Sequence, residues 1–275
     1  MAWMNGDGVV KRIGIIGCGA LATVFLEHFR EVLAGAYCLS GIHCRSEDKG
    51  RSAAGRFGTR FCRDIAELLE TAPDIVVEFA SGQAVRAYAE SVLRAGADFV
   101  CVSAGALADA DLRARLISAA RASGAKLIVP CGALGGLDLM RTAAAMGGQS
   151  ASIETVKAPK GLAGAPGLQG RELSGEKAEV VFEGGVQAAI AGFPKNVNVA
   201  VATALASETA DLSVIIRSEP GAKGNCHTVR LENPAMQAEI RIRSKPDPDN
   251  PRSSISTAWS VLALLKDRES PIQFF

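Results

Sequence analysis

The sequence predicts an α/β protein in which a doubly wound parallel sheet is followed by a second, α+β domain. Its 275 residues are enough for two modest domains. Up to about residue 130, short apolar runs alternate with helical patterns, which is typical of a parallel sheet with helices on both faces. Beyond that point strands follow one another, and polar and apolar residues alternate along them, which predicts a sheet with one solvated face.

Periodicity predicts the elements of the first half in order. Apolar residues from Leu21 to Leu33 recur at helical spacing on one face. Asp64, followed three residues later by Glu67, has the capping-box pattern of a helix start. Two further helices are predicted over residues 83–95 and 111–123, and strands over residues 9–16, 37–44, 74–79, 99–102 and 126–129.

The second half is predicted to be a sheet with a helix on one face. Apolar and polar residues alternate from Met236 to Arg243, so the last strand has one solvated face. A helix over residues 197–207 would cover the other face. The proline-rich segment 246–251 predicts a loop. Strands are predicted over residues 153–158, 178–182, 212–216, 228–231 and 236–242, and a closing helix over residues 254–265.

Composition excludes several classes of protein. Hydrophobic residues make up 48% and charged residues 21%, which fits a packed globular protein and not a disordered one. The net charge of +1 provides no electrostatic footprint for nucleic acid. The longest charge-free stretch, residues 13–26, is shorter than the roughly 20 residues that span a bilayer. Lys11 and Arg12 before this stretch imitate a signal peptide, but glycines interrupt the apolar region.

The seven cysteines predict neither a disulfide framework nor a metal site. Their number is odd, their spacing is irregular, and no Cys-x-x-Cys occurs. We therefore expect reduced thiols, no bound metal, and a cytoplasmic protein without a membrane partner.

A glycine motif predicts the cofactor. Gly17-x-Gly19-x-x-Ala22 ends a strand and opens a helix, which is the context that a dinucleotide fingerprint requires. Gly17 permits the tight turn, Gly19 lets the backbone approach a pyrophosphate, and Ala22 lets helix and strand pack closely. The helix start, with Ala20 and Leu21, would bind the anion. We predict an NAD or NADP site of Rossmann type here; the alternative is a strand–helix turn without a ligand.

The end of the second strand bears on the choice between NAD and NADP. An acidic residue there would accept hydrogen bonds from the ribose of NAD. The residues present are His43-Cys44-Arg45-Ser46, and the acidic residues come later. Arg45 would stack on adenine or meet a 2′-phosphate, so use of NADP or of both cofactors is a hypothesis. The alternative is a solvated loop arginine.

Only three histidines are available for acid–base chemistry. His28 is expected to pack on the apolar face of the first helix, and His43 to line the cofactor site without reacting. His227 lies where a glycine-rich loop enters a strand, and a histidine there would act near neutral pH as general acid or base, or be an ordinary loop residue. Asn198, near a helix start, either caps that helix or faces a ligand.

These segments together resemble one family, the L-aspartate dehydrogenases, over nearly the whole chain. In order along the chain, the matching segments are Ile16-Gly17-Cys18-Gly19-Ala20, Val76-Val77-Glu78, Val102-Ser103-Ala104-Gly105-Ala106-Leu107, Gly132-Ala133-Leu134-Gly135-Gly136, Phe193-Pro194-Lys195-Asn196-Val197-Asn198-Val199-Ala200, Asn225-Cys226-His227 and Asn250-Pro251-Arg252-Ser253-Ser254. In the last segment the family has lysine and threonine where this chain has Arg252 and Ser253. The segment 157–160 matches the family only loosely.

The resemblance implies oxidative deamination of L-aspartate with NAD or NADP. The imine formed would give oxaloacetate and ammonia with water, or enter NAD biosynthesis. It also implies that His227 is the active-site histidine, that Ala133 and Asn198 contact the cofactor, and that the chain forms homodimers or larger assemblies.

The domain boundaries follow from these assignments. Residues 1–130 would form the dinucleotide-binding domain, completed by a C-terminal helix within 251–275, and residues 131–250 the catalytic α+β domain. Two substrate carboxylates need cationic or amide partners, for which Lys160, Lys195 and Arg252 are candidates. The alternative for each is an ordinary surface cation.

Two other functions remain open on sequence alone. A dihydrodipicolinate reductase-like enzyme would use the same cofactor on another dicarboxylate. A dinucleotide-sensing protein would bind the cofactor without catalysis.

Overall fold

A computed structural model describes residues 9–194, 197–245 and 255–274. The chain divides into two compact units: Met1–Pro130 with Thr257–Phe275 forms unit 1, and Cys131–Ser256 forms unit 2. In the described part of the chain, no helix is long and apolar enough to cross a membrane.

Unit 1 contains a six-stranded parallel sheet in the order β3-β2-β1-β4-β5-β6. The strands are β1 (Lys11–Ile16), β2 (Tyr37–His43), β3 (Phe61–Cys62), β4 (Ile75–Glu78), β5 (Asp98–Cys101) and β6 (Leu127–Ile128). Because β1 lies between β2 and β4, the strand order reverses beside it. Such a switch point leaves a crevice at the carboxyl ends of the strands, where ligands bind in sheets of this kind.

Helices join these strands. They are α1 (Ala20–Leu33), α2 (Glu47–Phe57), α3 (Ile65–Glu70), α4 (Gly82–Arg94), α5 (Ala110–Ser123) and, from the chain's end, α10 (Ser256–Arg268). The predicted cap holds: the Asp64 carboxylate accepts from the Glu67 amide at 2.9 Å. The Glu67 carboxylate accepts in return from the amide of Arg63. The sequence did not predict α2, whose start is capped by Ser46 and carries two acidic residues in its first turn.

The C-terminal helix α10 completes the core of unit 1. Its Ala258, Val261, Leu262 and Leu265 are buried in one cluster with side chains of β1 and α1. The Tyr37 hydroxyl donates to the Leu265 carbonyl at 3.1 Å. Burying the valine and the two leucines stabilises the fold by about 1.5–3 kcal/mol each, so the end of the chain contributes to the stability of the unit that its beginning forms.

Unit 2 contains a five-stranded mixed sheet in the order β11-β10-β7-β9-β8. The strands are β7 (Ser150–Lys157), β8 (Glu179–Gly185), β9 (Ser213–Ser218), β10 (Cys226–Asn233) and β11 (Met236–Arg243). β7 pairs with β9 in parallel, and the other pairs are antiparallel. The fold class predicted from sequence is therefore confirmed.

The two faces of this second sheet differ in polarity. Ile153, Val214, Ile216 and Val229 are buried on one face. The other face carries ion pairs between neighbouring strands, Arg217–Glu154 and Arg230–Glu239. Along β11, half-buried and exposed residues alternate as predicted. The helices of unit 2 are α6 (Leu137–Met146), α7 (Pro159–Leu162), α8 (Val186–Gly192) and α9 (Asn198–Ser207).

Candidate active site

The glycine turn after β1 is held against the end of β4. Gly17 has φ +110°, and a Cβ on it would lie 2.7 Å from the Phe79 carbonyl oxygen. Its amide donates to the His43 carbonyl at 2.8 Å. Gly17 is therefore required by both the backbone conformation and the close approach of two strand ends.

Gly19 serves a different purpose from Gly17. Its φ is −85°, a conformation open to any residue, and nothing lies within 4 Å of the Cβ it lacks. Helix α1 starts directly after it at Ala20, and both residues are exposed. The helix start thus offers unobstructed amides to an anion. Ala22, two residues further on, is fully buried, as the fingerprint requires.

A cleft of ≈ 380 Å³ lies above this turn. Its lining residues come from the ends of β1, β2 and β4 and from α4: Ile16, Gly17, Cys18, Gly19, His43, Cys44, Arg45, Ser46, Lys49, Phe79, Ala80, Ser81, Gln83, Ala84, Ala87 and Tyr88. The predicted residues Gly17, Gly19 and Arg45 thus meet at one place. The cleft, the glycine turn and the exposed helix start fit an adenine dinucleotide.

His43 is a wall of the cleft. Its Nδ1 contacts the Cys62 carbonyl at 3.1 Å, and its ring packs edge-on against Tyr88 at 5.2 Å between centroids. These two contacts hold the imidazole ring in place in the lining of the cleft. His28 is half-buried, and its ring packs on Trp259 at 4.4 Å.

The part of the cleft that follows β2 is cationic. Arg45 and Lys49 are both exposed at its rim, and no carboxylate is among the residues that line it. Glu47 and Asp48 lie instead in the first turn of α2, where acidic residues favour the helix start. Lys49 was not predicted from sequence, because only the fold of α2 brings it to the cleft.

Glu78 joins the ends of β4 and β5. Its carboxylate is fully buried and accepts hydrogen bonds from the Ala80 amide at 2.7 Å, from the Ser103 amide at 2.9 Å and from the Ser103 hydroxyl at 2.9 Å. Burial raises the pKa of Glu78, and these hydrogen bonds oppose the rise. The residue thus fixes two of the loops at the carboxyl edge of the sheet.

In unit 2, His227 is a buried side chain near the start of β10. It is 3% exposed, and its Nδ1 lies 3.0 Å from the Thr155 hydroxyl on β7. Burial lowers the pKa of His227 to about 4, with a further contribution from the positive charge of Lys157. The imidazole is therefore neutral near pH 7, and the contact with Thr155 orients it so that Nε2 is the nitrogen left for a ligand.

The other residues predicted for unit 2 lie on separate elements. Asn198 is exposed at the start of α9, a helix that packs against β7 beside β10. Ala133 is half-buried in the turn before α6. Lys160 is exposed on α7 and lines a cavity of ≈ 660 Å³ formed by residues 159–173. Lys195 and Arg252 fall outside the described residues.

The glycines of the turn 131–136 have a packing role. Gly136 has φ +71°, and a Cβ on it would lie 2.5 Å from Cδ1 of Ile240. A Cβ on Gly135 would lie 3.2 Å from Ile242. These two glycines are thus needed where the turn meets β11. Among the described residues, no group of three or more His, Cys, Asp or Glu side chains is placed to hold a metal ion.

Comparison with known proteins gives matches over both units. Residues 138–268 match the family model described as aspartate dehydrogenase, C-terminal, and residues 17–130 match the NAD-binding domain of homoserine dehydrogenase. An L-aspartate dehydrogenase of Methanospirillum hungatei is 33% identical over 95% of this chain and 98% of its own. One from Ruegeria pomeroyi is 36% identical over 99% and 97%.

Solved structures show the same similarity. The crystal structure of aspartate dehydrogenase from Thermotoga maritima has a TM-score of 0.76 and 28% sequence identity, covering 96% of this chain and 99% of that one. A protein of gentamicin biosynthesis, crystallised with NAD, shares the fold at a TM-score of 0.59 and 14% identity.

Proposed function

This chain belongs to the L-aspartate dehydrogenase family, and we propose that it catalyses the NAD(P)-dependent oxidative deamination of L-aspartate. L-Aspartate and NAD(P)⁺ would give iminoaspartate, NAD(P)H and a proton, and water would convert the imine to oxaloacetate and ammonia. The observation that carries the proposal is the cleft at the switch point of unit 1, where the glycine turn, the helix start and the end of β2 meet.

The dinucleotide supplies the redox chemistry, and the chain's residues hold it. When bound, the nicotinamide accepts the hydride from Cα of the substrate. The pyrophosphate is proposed to lie on Gly17, Gly19, Ala20 and Leu21 at the start of α1, which the buried Ala22 packs closely against the sheet. Arg45 would hold the adenosine end, and Ala133 and Asn198 are the cofactor contacts that the family resemblance implies. The two rim cations, Arg45 and Lys49, favour the extra phosphate of NADP.

His227 is proposed as the catalytic acid–base. In the tautomer whose Nδ1–H donates to the Thr155 hydroxyl, 3.0 Å away, Nε2 would accept a proton from the attacking water or from the substrate's ammonium group. Its low pKa keeps the imidazole in the accepting form near neutral pH. A bound substrate carboxylate would favour the imidazolium that forms, because an opposite charge stabilises the charged form. Lys160, Lys195 and Arg252 are proposed partners for the substrate's carboxylates.

Assembly and location complete the proposal. Association as a homodimer or a larger homo-oligomer is proposed from the resemblance to the L-aspartate dehydrogenases. The free cysteines of the described chain support a cytoplasmic location. A role in NAD biosynthesis or aspartate metabolism follows from the products. Light scattering of the purified protein measures the assembly.

The reaction is tested by following the absorbance of the reduced nicotinamide. L-Aspartate is supplied with NAD or NADP, and in the reverse direction oxaloacetate is supplied with ammonia and NADH or NADPH. We expect turnover in both directions, with L-glutamate and L-alanine inactive. Cofactor binding without turnover of aspartate would contradict the proposal. Turnover of another cyclic or open dicarboxylic imine would then indicate a dihydrodipicolinate reductase-like enzyme, and no turnover at all would indicate a sensor.

A further inference from the structure

Three neighbouring strands of unit 2 place polar side chains together at one end of the sheet. His227 of β10 is paired with Thr155 of β7, and Lys157 of β7 is paired with Ser218 of β9. Residues two apart on a strand point to the same face, and so do paired residues of neighbouring strands. His227, Thr155, Lys157 and Ser218 therefore share one face, where β7 and β9 end and β10 begins.

The middle of this face is apolar. Ile153 follows the same alternation as Thr155 on β7, and Ile216 that of Ser218 on β9; both are buried. Polar groups on such a face cost free energy unless each finds a hydrogen-bond partner. Their confinement to one end of three strands indicates a site and not a random distribution of polar residues.

Ser218 supplies an independent observation that points to a ligand. Its side chain is fully buried, and its hydroxyl has no hydrogen-bond partner. The great majority of buried side-chain polar atoms in proteins have at least one partner, so an exception needs an explanation. A ligand that accepts a hydrogen bond from this hydroxyl provides one.

Lys157 brings a positive charge to the same place. The stem of its side chain lies along Gly161, where a Cβ would be 3.7 Å from the Cβ of Lys157 and 3.8 Å from its Cδ. Its ammonium is near enough to His227 to lower the pKa of the imidazole. Burial also lowers the pKa of Lys157 itself, to about 8. An anion bound beside this half-buried ammonium would add a favourable electrostatic interaction with it.

We propose that Lys157 and Ser218 form an anion subsite that holds one carboxylate of the dicarboxylate substrate beside His227. The ammonium of Lys157 and the hydroxyl of Ser218 both donate hydrogen bonds to the carboxylate. The identity of the ligand rests on the proposed function, whereas the anion subsite rests on the residues alone. Neither residue was among the carboxylate partners predicted from sequence. Segment 157–160 matches the family only loosely, so Lys157 was passed over, and nothing in the local sequence distinguishes Ser218.

Succinate binding tests the subsite without catalysis. The probe is titrated calorimetrically into the enzyme saturated with NADH, using Lys157→Met, Lys157→Arg and Ser218→Ala. We expect the dissociation constant for succinate to rise about 10- to 100-fold in Lys157→Met and about 3- to 10-fold in Ser218→Ala, because hydrogen bonds to charged groups are the stronger ones. Lys157→Arg, which keeps the charge, should recover part of the affinity.

Two control variants are matched to these changes. Lys177→Met removes an exposed lysine of the same unit, and Ser213→Ala removes a hydroxyl from the opposite face of β9. Both should bind succinate as the wild type does. The NADH dissociation constant of every variant should remain unchanged, which also shows that the protein is folded. Succinate affinity within twofold of the wild type in both Lys157→Met and Ser218→Ala would overturn the subsite.

Kinetics separate this proposal from the proposed function. With L-aspartate, KM should rise as the succinate dissociation constant does, while kcat falls much less, because the subsite binds substrate and transition state alike. An equal fall in kcat and kcat/KM at unchanged KM would overturn the binding role. Wild type that binds succinate through Lys157 but does not oxidise L-aspartate would contradict the proposed reaction and leave the anion subsite standing.

Discussion

The two candidate sites differ in how they are built from the chain. The cleft of unit 1 depends on a short run of residues after β1. Because Gly17 and Gly19 have no side chain, the turn can approach the end of β4 and the helix start stays open. The polar end of the unit 2 sheet depends on side chains from three strands, at Thr155, Ser218 and His227. A backbone site can thus be recognised from local sequence, whereas a side-chain site requires the strand register.

Replacing His227 should give the largest effect and should separate the two sites. We expect His227→Asn to lower turnover of L-aspartate by about 10²–10⁴, the usual contribution of a general acid–base. Binding of NADH, measured by fluorescence titration, should not change, because His227 is not among the residues that line the cleft. Unchanged turnover would reject the catalytic role.

Gly17→Ala and Gly19→Ala form a matched pair within unit 1. At Gly17 the positive φ alone costs about 1–3 kcal/mol, and the contact with the Phe79 carbonyl adds to it, so stability and NADH binding should both fall. At Gly19 the new methyl group meets no atom of the protein, so only NADH binding should weaken. Urea denaturation and NADH titration measure the two effects. Equal losses of stability in the two variants would contradict the different roles assigned to these glycines.

The buried imidazole predicts a pH dependence of stability. His227 has a pKa of about 4 in the folded chain, below its ordinary value of about 6.5. Between these two values the unfolded chain binds a proton that the folded chain does not, so stability falls as the pH is lowered through this window and levels off below about pH 4. From pH 7 to pH 5 the contribution amounts to about 2 kcal/mol in the free energy of unfolding.

His227→Asn is the control for that measurement. The variant keeps a polar side chain beside Thr155 but has no group that titrates there. Urea denaturation at the two pH values should therefore show a smaller loss of stability in the variant. The same loss of stability in both proteins would show that groups other than His227 cause the acid sensitivity.

The rim cations of the cleft should give the smallest effect. We expect Arg45→Ala and Lys49→Ala each to weaken NADP binding by about 3- to 10-fold, because exposed charges are screened by solvent. NAD binding should change little, since NAD lacks the 2′-phosphate. Arg51→Ala, on the same helix as Lys49 but paired with Glu47 outside the cleft lining, is the control. An equal loss of affinity for NAD and NADP would show that these cations do not contact the 2′-phosphate.

Much of the fold follows from patterns that are short-range in the sequence. Five of the six strands of the parallel sheet and helices α1, α4 and α5 agree with prediction within a few residues, because each has a clear apolar pattern; the two-residue strand β3 was not predicted. Helix α2 was missed, since Glu47–Phe57 is polar on most of its surface and buries little more than Gly50 and Ala54. Because this helix was not predicted, Lys49 was not recognised as a cleft residue.

The candidate sites divide in the same way. The sequence by itself determined the dinucleotide cleft, because a turn with positive φ at Gly17 and an open helix start at Gly19 are properties of adjacent residues. It also identified His227 through resemblance. Only the tertiary structure brought Thr155, Lys157 and Ser218 beside that histidine, because hydrogen-bond register between strands whose paired residues are 61 and 72 positions apart decides which side chains share a face. Burial then lowered the pKa of His227 and of Lys157, an effect that depends on packing and has no counterpart in local sequence.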